Sequence, residues 1–375
     1  MGDSALAGGL YIGLMSGTSM DGIDAVLIDL SGDPRILATK YNSYEKEVRD
    51  HLIALCADNQ QTVELIAAMD TRVGQLFART ALDLLSQADI SPDKVRAIGS
   101  HGQTIRHEPR APFPFSLQIG NPNVIAEITG ITTIADFRRR DIAAGGEGAP
   151  LVPAFHNEVF RSSENDRVVI NIGGIANITL LPGDRDLPVI GFDTGPGNIL
   201  MDGWCERHLG AVYDSDGQWC ATGNIHNKLL ETLSEHSYFS QEPPKSTGRE
   251  DFNLQWLDTI IQETGLTPAP QDVQATLCEL TARSIAKSIQ LHAPQAREVL
   301  VCGGGAHNRI LMQRLKVHLQ ETSVQSTEQY GIPPDWVESA AFAWLAKQTL
   351  AGKPGNLPSV TGAKKALILG GIYKD

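Results

Sequence analysis

The stretch Gly13–Leu30, GLMSGTSMDGIDAVLIDL, decides how this sequence is interpreted. Apolar residues, several of them β-branched, flank a centre of glycines, hydroxyl side chains and two carboxylates. Such a polar centre would interrupt one buried strand or helix, whereas the alternating apolar flanks are typical of two strands. The stretch is therefore predicted to form a strand, a tight turn and a second strand.

The same pattern returns about 155 residues later, in RVVINIGGIANITLLPG from Arg167 to Gly183, an interval too long for a solenoid repeat. A segment rich in glycine and proline, RRRDIAAGGEGAPLVPAFHNEVF, separates the two halves. We therefore expect an N-terminal domain over residues 1–165 and a C-terminal domain over residues 166–375, with the C-terminal segment free to pack back on the first. Two similar α/β domains facing each other would bring both hairpin turns to one cleft.

Periodicity assigns the other main elements. A helical region is predicted from about Val48 to Gln87, and KVRAIGSHGQTIRH is predicted to be a buried strand that enters a loop at Ser100–Gln103. In the second half, a helix is expected near Gln274–His292 and another near Arg309–Gln320. A late helix is expected in DWVESAAFAWLAKQTLAG.

Composition excludes several classes of function. The chain has 375 residues, 42% of them hydrophobic and 20% charged, which is typical of a soluble globular protein with two domains. Its net charge of −13 argues against binding to nucleic acid or to an anionic membrane. A small anionic ligand remains compatible, because local backbone N–H groups can outweigh the overall charge.

Cysteine usage and hydropathy predict a cytoplasmic protein. The five cysteines are scattered and form no CxxC pair, so a zinc site is not expected and free thiols in a reducing compartment are. No apolar run reaches the roughly 18 residues of a membrane span, and the N-terminal residues lack the pattern of a signal peptide.

The two hairpin turns are candidate phosphate sites. Gly17-Thr18-Ser19 in the first and Gly173-Gly174 in the second leave backbone N–H groups unobstructed, as anion binding requires. Asp21 and Asp24 beside the first turn could orient Mg²⁺, directly or through water. One such turn is more simply an ordinary tight hairpin. Two turns in equivalent halves favour the phosphate interpretation.

A third glycine-rich segment, CGGGAHN, follows a buried strand and precedes a helix. Gly303, Gly304 and Gly305 there suit the close approach of a flat or anionic ligand, although a simple strand-to-helix turn is also possible. The segment is not GxGxxG, and the chain has no Walker A pattern, so dinucleotide-binding and P-loop folds are disfavoured.

Asp193, in GFDTGPGN, is the main candidate for a catalytic base. A carboxylate at the end of an apolar strand is fixed and partly desolvated, which suits proton abstraction during phosphoryl transfer; a structural N-cap is the alternative. Of the consecutive residues Arg138–Arg140, one could clamp a substrate carboxylate while the others are solvated. Glu338, in an otherwise small and apolar helix, either contacts substrate or marks the solvated face of that helix.

Eight motifs, in order along nearly the whole chain, resemble those of the anhydro-N-acetylmuramic acid kinase family, within the sugar kinase, Hsp70 and actin superfamily. They are GLMSGTSMDGIDAVLID, SHGQTIRH, QIGNP, DFRRRDIAAGGEGAPLVP, NIGGIANIT, GFDTGPGN, PPKSTGRE and CGGGAHN. The resemblance implies an α/β fold of two actin-like (ribonuclease H-like) domains flanking a nucleotide cleft. It also implies a homodimer.

The resemblance further implies a kinase that uses ATP and Mg²⁺ to phosphorylate O6 of 1,6-anhydro-N-acetylmuramic acid while water opens the anhydro bridge. Asp193 matches the base that activates this water. The implied ATP-binding residues are Gly17, Thr18, Ser19, Met20, Asp21, Gly22, Ile23, Asp24, Gly173, Gly174, Asn177, Gly303, Gly304 and Gly305. The expected sugar-binding residues are His101, Gln103, Asp136, Arg138 and Glu338, with Arg138 on the lactyl carboxylate.

The residues alone leave three other functions open. A conventional sugar kinase of the same architecture would use Asp193 to deprotonate a hydroxyl. A nucleotide-gated binding protein like actin or Hsp70 would hydrolyse ATP without a sugar product. A glycosidase would pair Asp193 with Glu338, but would leave both phosphate-type turns without a purpose.

Overall fold

The structure is a computed structural model that describes residues 8–17, 19–57 and 62–374. Its elements up to residue 159 are β1 Leu10–Ser16, β2 Gly22–Asp29, β3 Arg35–Ser43, α1 Lys46–Ala57, α2 Val63–Ala88, β4 Val95–Glu108, β5 Phe115–Ile119, α3 Pro122–Thr129, β6 Thr133–Ala135, α4 Arg139–Ala143 and α5 Val152–Val159. From residue 160 to 335 they are β7 Arg167–Ile172, β8 Ile175–Leu181, β9 Ile190–Pro196, α6 Ile199–Leu209, α7 Asn227–Ser234, α8 Leu254–Thr264, α9 Pro270–His292, β10 Glu298–Cys302, α10 Arg309–His318 and β11 Ser323–Ser326. The chain ends with α11 Val337–Leu350, α12 Pro358–Thr361 and β12 Gly371–Tyr373.

The chain divides into two compact units. Residues up to Val159 form the first unit together with Trp336–Asp375, and Phe160–Asp335 form the second. The second unit therefore ends before residue 375, the expected end of the second domain, and the C-terminal residues take the packing that the sequence analysis allowed. The C-terminal segment packs back on the first unit, where β12 pairs with β6 and α11 packs on β1 and β4.

The first unit is built on a mixed sheet. Its strand order is β12-β6-β4-β1-β2-β3, with β5 paired to β4. Strand β2 pairs antiparallel with both β1 and β3, and β4 pairs parallel with β1 on the side away from β2. One face of the sheet packs on α1 and α2 through a cluster that includes Ile12, Leu27, Val73 and Phe77. The predicted hairpin is thus the centre of this sheet.

Two glycines allow helix α11 to cover the other face of the first sheet. Gly13 of β1 and Gly99 of β4 are register partners. A Cβ at Gly13 would lie 1.7 Å from the carbonyl oxygen of Ser339, and one at Gly99 would lie 2.0 Å from that of Phe342. The helix backbone therefore rests directly on the sheet at these two positions, which excludes any larger residue there.

Strand β4 is longer than the sequence predicted. The loop expected at Ser100–Gln103 was wrong, because β4 continues through it, pairing first with β1 and then with β5. Gly102 has a positive φ of 74°, and the β1 pairing shifts register between Leu14 and Ser16. The glycine and polar residues of this stretch, which suggested a loop, instead belong to a local irregularity within the strand.

The second unit repeats the arrangement. Its strand order is β11-β10-β7-β8-β9, so the hairpin strands β7 and β8 hold the places that β1 and β2 hold in the first sheet. Strand β8 pairs antiparallel with both β7 and β9, and β10 pairs parallel with both β7 and β11. Helix α9 supplies Val273, Leu277, Ile285 and Ile289 to the core. Each unit therefore has an actin-like (ribonuclease H-like) sheet, as predicted.

Within the part of the chain that the structure describes, no helix has the length and apolar character required to cross a membrane. All five cysteines are free thiols, and all but Cys56 are buried.

Candidate active site

The first turn exposes polar groups between β1 and β2. The N–H of Met20, at a φ of 52°, donates to the carbonyl oxygen of Gly17 over 3.2 Å and closes the turn. The Ser19 hydroxyl donates to Asp21 Oδ1 over 2.7 Å, and both side chains are exposed. Thr18, the central residue of the predicted phosphate turn, lies outside the described residues. This turn presents a hydroxyl and a carboxylate to solvent.

Gln103 of β4 holds the first turn in place. This fully buried side chain donates through Nε2 to the carbonyl oxygen of Gly17 over 3.1 Å, and its Oε1 lies 2.6 Å from Ser16 Oγ. Ser16 Oγ also lies 2.8 Å from the carbonyl oxygen of Gly22 and accepts from the Tyr44 hydroxyl at 3.0 Å. The amide of Gln103 is thus directed at the turn, although the resemblance implied a contact with sugar.

The remaining predicted residues of the first hairpin lie in β2. Ile23 is buried in the core, so only its backbone can reach a ligand, while Asp24 is half-buried and pairs in register with Met15 and Tyr41. Burial raises the pKa of Tyr44 above its usual range, and the charges of Asp21 and Asp24 raise it further. The two carboxylates therefore produce a negative potential around this turn, which a cation would offset.

Buried His101 and half-buried Arg138 form a hydrogen-bonded pair in the first unit. His101 Nε2 accepts from Arg138 Nε at 3.1 Å and from Nη2 at 2.8 Å, while Arg138 Nη1 donates to the carbonyl oxygen of Gly148 at 2.8 Å. Burial, and then the charge of Arg138, hold the pKa of His101 well below its usual range. His101 is accordingly a neutral acceptor at Nε2, with its proton on Nδ1.

The charge of Arg138 is only partly compensated. Burial lowers its pKa to about 10, against the opposing effect of the carboxylates of Glu338 and Asp141. Arg139 and Arg140 are exposed, whereas Arg138, the arginine expected to bind the lactyl carboxylate, is half-buried. An incoming carboxylate beside Arg138 would stabilise the guanidinium further.

Asp141, which the sequence did not single out, anchors this loop. Its carboxylate is fully buried and accepts from the Gly148 N–H at 2.8 Å, Asn356 Nδ2 at 2.6 Å and the Thr361 hydroxyl at 2.8 Å. A Cβ at Gly146 would lie 2.2 Å from this carboxylate, so a larger residue is excluded there. The C-terminal segment thereby fixes the loop that carries the Gly148 carbonyl to Arg138.

A cavity of about 370 Å³ in the first unit is lined by His101, Asp136 and Arg139. The Ser100 hydroxyl and His101 Nδ1 also belong to lining residues and have no hydrogen-bond partner, although both atoms are buried. Asp136 has a φ of 62°, and burial raises its pKa although Arg139 lies 3.4 Å away. Two orphaned polar atoms and a partly desolvated carboxylate are typical of a site that binds a polar ligand.

Further residues of this cavity were not predicted as site residues. Gln118, Asn121 and Asn123 line it together with Ser100. All four belong to the stretches SHGQT and QIGNPN, and the spacing of polar residues in those motifs was the available signal.

In the second unit, three polar residues lie side by side across the sheet. Asn171 of β7 pairs in register with Asn177 of β8, and Asn177 pairs with Asp193 of β9. Register partners share one face of a sheet, so their side chains form a row. Asp193 lies in the middle of β9, whereas the sequence placed it at a strand end.

The segment after residue 237 encloses Asp193. The backbone N–H of Thr247 donates to Asp193 Oδ2 at 3.1 Å, the N–H of Asp193 donates to the carbonyl oxygen of Lys245 at 3.2 Å, and the Tyr238 hydroxyl donates to the Asp193 carbonyl at 2.7 Å. Burial raises the pKa of Asp193 to about 6; the Thr247 hydrogen bond opposes this shift and the charge of Glu250 adds to it. The carboxylate can therefore take and release a proton near neutral pH.

The glycine segments of the second unit come together. The N–H groups of Gly197 and Ile199 donate to the carbonyl oxygen of Gly174 at 2.9 and 3.1 Å, so this loop is tied to the hairpin turn. A Cβ at Gly303, whose φ is 77°, would lie 2.3 Å from Asn171 Oδ1. A Cβ at Gly305 would lie 2.3 Å from Ile172 Cγ2, whereas one at Gly304 would make only an ordinary contact, 3.8 Å from Asn198 Nδ2. Close backbone approach without side chains is the geometry that admits a nucleotide.

Among the described residues, no group of three or more histidine, cysteine, aspartate or glutamate side chains is placed to hold a metal ion. Mg²⁺ in phosphoryl transfer is commonly held by one or two carboxylates together with water and substrate phosphates, so two carboxylates suffice. The hard oxygen donors of Asp21 and Asp24 fit this cation.

Comparison with known proteins assigns the family. A family sequence model described as "Anhydro-N-acetylmuramic acid kinase" matches residues 9–375. Anhydro-N-acetylmuramic acid kinase of Coxiella burnetii is 52% identical over 364 residues, covering 97% of both chains. The enzyme of that name from Saccharophagus degradans is 48% identical over 368 residues, covering 97% of this chain and 98% of the other. Among solved structures, a ROK family glucokinase from Streptomyces griseus covers 91% of this chain and 100% of its own, with 14% identity and a TM-score of 0.41.

Proposed function

The chain belongs to the anhydro-N-acetylmuramic acid kinase family, and we propose from this premise how its residues carry out the family's reaction. The protein is an ATP-dependent kinase that phosphorylates O6 of 1,6-anhydro-N-acetylmuramic acid and hydrolyses the anhydro bridge. The products are N-acetylmuramic acid 6-phosphate and ADP, in the recycling of cell-wall murein. The family assignment favours this reaction over a conventional sugar kinase, a nucleotide-gated binding protein and a glycosidase.

Asp193 is the proposed general base. In the anhydro sugar O6 is an ether oxygen, so it has no proton to lose and a base can act only on water. Asp193 takes a proton from water as the water oxygen bonds to C1, the C1–O6 bond breaks, and O6 attacks the γ-phosphorus while ADP leaves. The observation that carries this role is the placement of the Asp193 carboxylate, which the Thr247 N–H holds at 3.1 Å in a row with Asn177 and Asn171; burial there raises its pKa to about 6.

Backbone groups are proposed to bind the phosphates of ATP. In the first unit these belong to Gly17 and Ser19, since the Met20 N–H already donates to the Gly17 carbonyl oxygen; Gln103 is proposed to position the turn rather than to contact sugar. In the second unit the proposed contacts come from the joined glycine segments and Asn177. In-line positioning of this kind supplies much of the acceleration in phosphoryl transfer.

Mg²⁺ is proposed to be held by Asp21 and Asp24. When bound, the cation shields the phosphate charge. Burial raises the pKa of Tyr41 and of Tyr44, and the charges of Asp21 and Asp24 raise both further. This local negative potential supports a cation at the turn.

The sugar is proposed to contact the cavity that is lined by His101 and Asp136. Its orphaned Ser100 hydroxyl and His101 Nδ1 would hydrogen-bond sugar oxygens or the acetamido group. Arg138 is the proposed partner of the lactyl carboxylate, because its half-buried charge is incompletely compensated; Glu338 lies near it. A volume of about 370 Å³ is within the usual range for a small organic ligand.

We further propose that the protein acts in the cytoplasm, where ATP is available and free thiols persist. We expect no nucleic-acid partner, because the net charge is −13. A homodimer is proposed from the family resemblance alone, and light scattering on the purified chain would test it.

The decisive experiment is turnover of the anhydro sugar with ATP and Mg²⁺ in ¹⁸O-labelled water, followed by mass spectrometry. We expect ¹⁸O at C1 and the phosphoryl group on O6, with both lost in Asp193→Asn. Phosphorylation with the bridge intact would instead identify a conventional sugar kinase.

A further inference from the structure

A second cavity, of about 470 Å³, lies in the second unit between the C-terminal half of α9 and the segment that follows α7. Phe239, Leu280 and Leu291 give it apolar walls, while Lys245, Arg283 and Lys287 line it with cations. Arg283 and Lys287 are one helical turn apart on α9, so their side chains point to the same side of the helix. The cavity thus combines an apolar surface with a cluster of positive charges.

The three cations outnumber Glu242, the one carboxylate among the lining residues of this cavity. Glu279 is already bound to Arg314 at 2.7 Å and His318 at 2.7 Å, with Arg283 only at 3.6 Å. Lys245 lies 4.8 Å from the Tyr238 ring centroid and donates to the Tyr238 carbonyl at 3.3 Å.

Burial lowers the pKa of Lys245, the carboxylate of Glu242 opposes this, and the charge of Lys287 lowers it again. Local repulsion between cations in a chain of net charge −13 indicates a place for an anion.

We propose that this cavity binds a small organic phosphomonoester, whose phosphate contacts Lys245, Arg283 and Lys287 and whose carbon skeleton packs on Phe239 and Leu291. A phosphomonoester carries a charge of about −1.5 to −2 at neutral pH and offers three acceptor oxygens, which suits a cavity lined by three cations better than a carboxylate does. The volume also accommodates a sugar-sized body.

The site is connected to Asp193 through the backbone. Lys245 places its side chain in the cavity, and its carbonyl oxygen accepts the Asp193 N–H at 3.2 Å. Two residues on, the Thr247 N–H donates to the Asp193 carboxylate at 3.1 Å. A ligand that fixes Lys245 therefore restrains the segment that orients Asp193, and occupancy alters kcat without competing with ATP or sugar. This effect on kcat rests on the role proposed for Asp193. Binding of the phosphomonoester to the cavity does not depend on that role.

Binding is tested by calorimetry on the full chain with saturating ADP and anhydro sugar, so that the substrate sites are filled. The probes are glucose 6-phosphate, glucose and inorganic phosphate. We expect saturable binding of glucose 6-phosphate, none of glucose, and weaker binding of inorganic phosphate, which lacks the carbon skeleton. Glucose binding as tight as that of its phosphate, or loss of all binding when ADP is present, would overturn the proposal.

Variants locate the site. Lys287→Gln and Arg283→Gln are each expected to weaken glucose 6-phosphate binding about tenfold, because each removes one charge-assisted hydrogen bond. Lys316→Gln on α10, an exposed lysine outside the cavity, is the matched control and should bind normally. Equal weakening in all three variants would refute a specific site. A chain that binds the phosphate normally but does not turn over the anhydro sugar would contradict the proposed function and leave this site standing.

Discussion

The backbone N–H of Thr247 donates a hydrogen bond to Asp193 Oδ2 at 3.1 Å, from a segment far along the chain from strand β9. This bond favours the charged carboxylate, while burial and the charge of Glu250 disfavour it more strongly. The result is a carboxyl group with a pKa of about 6, held in one orientation. Both properties suit a base that removes a proton from water.

Replacing Asp193 by asparagine is expected to lower kcat about 10³-fold, because an amide cannot accept the proton. The amide oxygen can still accept from Thr247, so the fold and the KM for ATP should change little. Steady-state kinetics measure kcat and the KM for ATP, and the melting temperature reports whether the variant is folded. Retention of more than a tenth of the wild-type kcat in a folded variant would rule out the base role.

The pH dependence of kcat/KM should show an acid limb. The base is active when deprotonated, so the rate is expected to fall about tenfold per pH unit below a pKa of about 6. Glu250→Gln removes a charge that raises this pKa, and so should move the limb to lower pH. Glu250→Asp keeps the charge and serves as the control. An identical limb in both variants would contradict this electrostatic account.

Gln103→Ala is expected to raise the KM for ATP about five- to tenfold with a smaller effect on the KM for sugar. The variant removes the hydrogen bonds to Gly17 and Ser16 that hold the first turn. Ser91→Ala, at an exposed site in the same unit, provides a control for general loss of stability. A rise confined to the KM for sugar would restore the sugar-binding role that the resemblance implied.

Gly13→Ala or Gly99→Ala is expected to destabilise the protein by about 3 kcal/mol or more, because the new methyl group would overlap the backbone of α11. Gly32→Ala is the matched control, since a Cβ there meets nothing within 4 Å. Urea unfolding compares the three variants. If Gly13→Ala were as stable as Gly32→Ala, the direct contact between helix and sheet would be incorrect.

Asp141→Asn is expected to cost about 3 kcal/mol, because its new amide donor would face the donors of Gly148, Asn356 or Thr361. It should also weaken sugar binding, since the carbonyl of Gly148 accepts from Arg138. Asp33→Asn, at an exposed carboxylate, is the control for loss of charge. Chemical unfolding and the KM for sugar report the two effects separately.

Local patterns in the sequence predicted most of the fold. Two hairpins with glycine turns, separated by about 155 residues, predicted two similar α/β sheets. The five strands β11-β10-β7-β8-β9 of the second sheet follow the order of β6-β4-β1-β2-β3 in the first, which has β12 and β5 in addition. Helix α9 was predicted as Gln274–His292 and spans Pro270–His292. The region Val48–Gln87 was predicted as helical and contains two helices, α1 and α2. Amphipathic periodicity therefore predicts the bounds of such helices to within a few residues of those in the structure.

Tertiary structure decided what local patterns cannot encode. Residues Trp336–Asp375 join the first unit because Gly13 and Gly99 admit α11, a fit between backbones that lie more than 200 residues apart along the chain. Contacts across the sheet direct Gln103 to the first turn, and burial together with Glu250 and Thr247 sets the pKa of Asp193. The sequence by itself determined the elements, the family and the candidate residues. Burial and long-range hydrogen bonds decided their partners and protonation, because both depend on groups brought together only by folding.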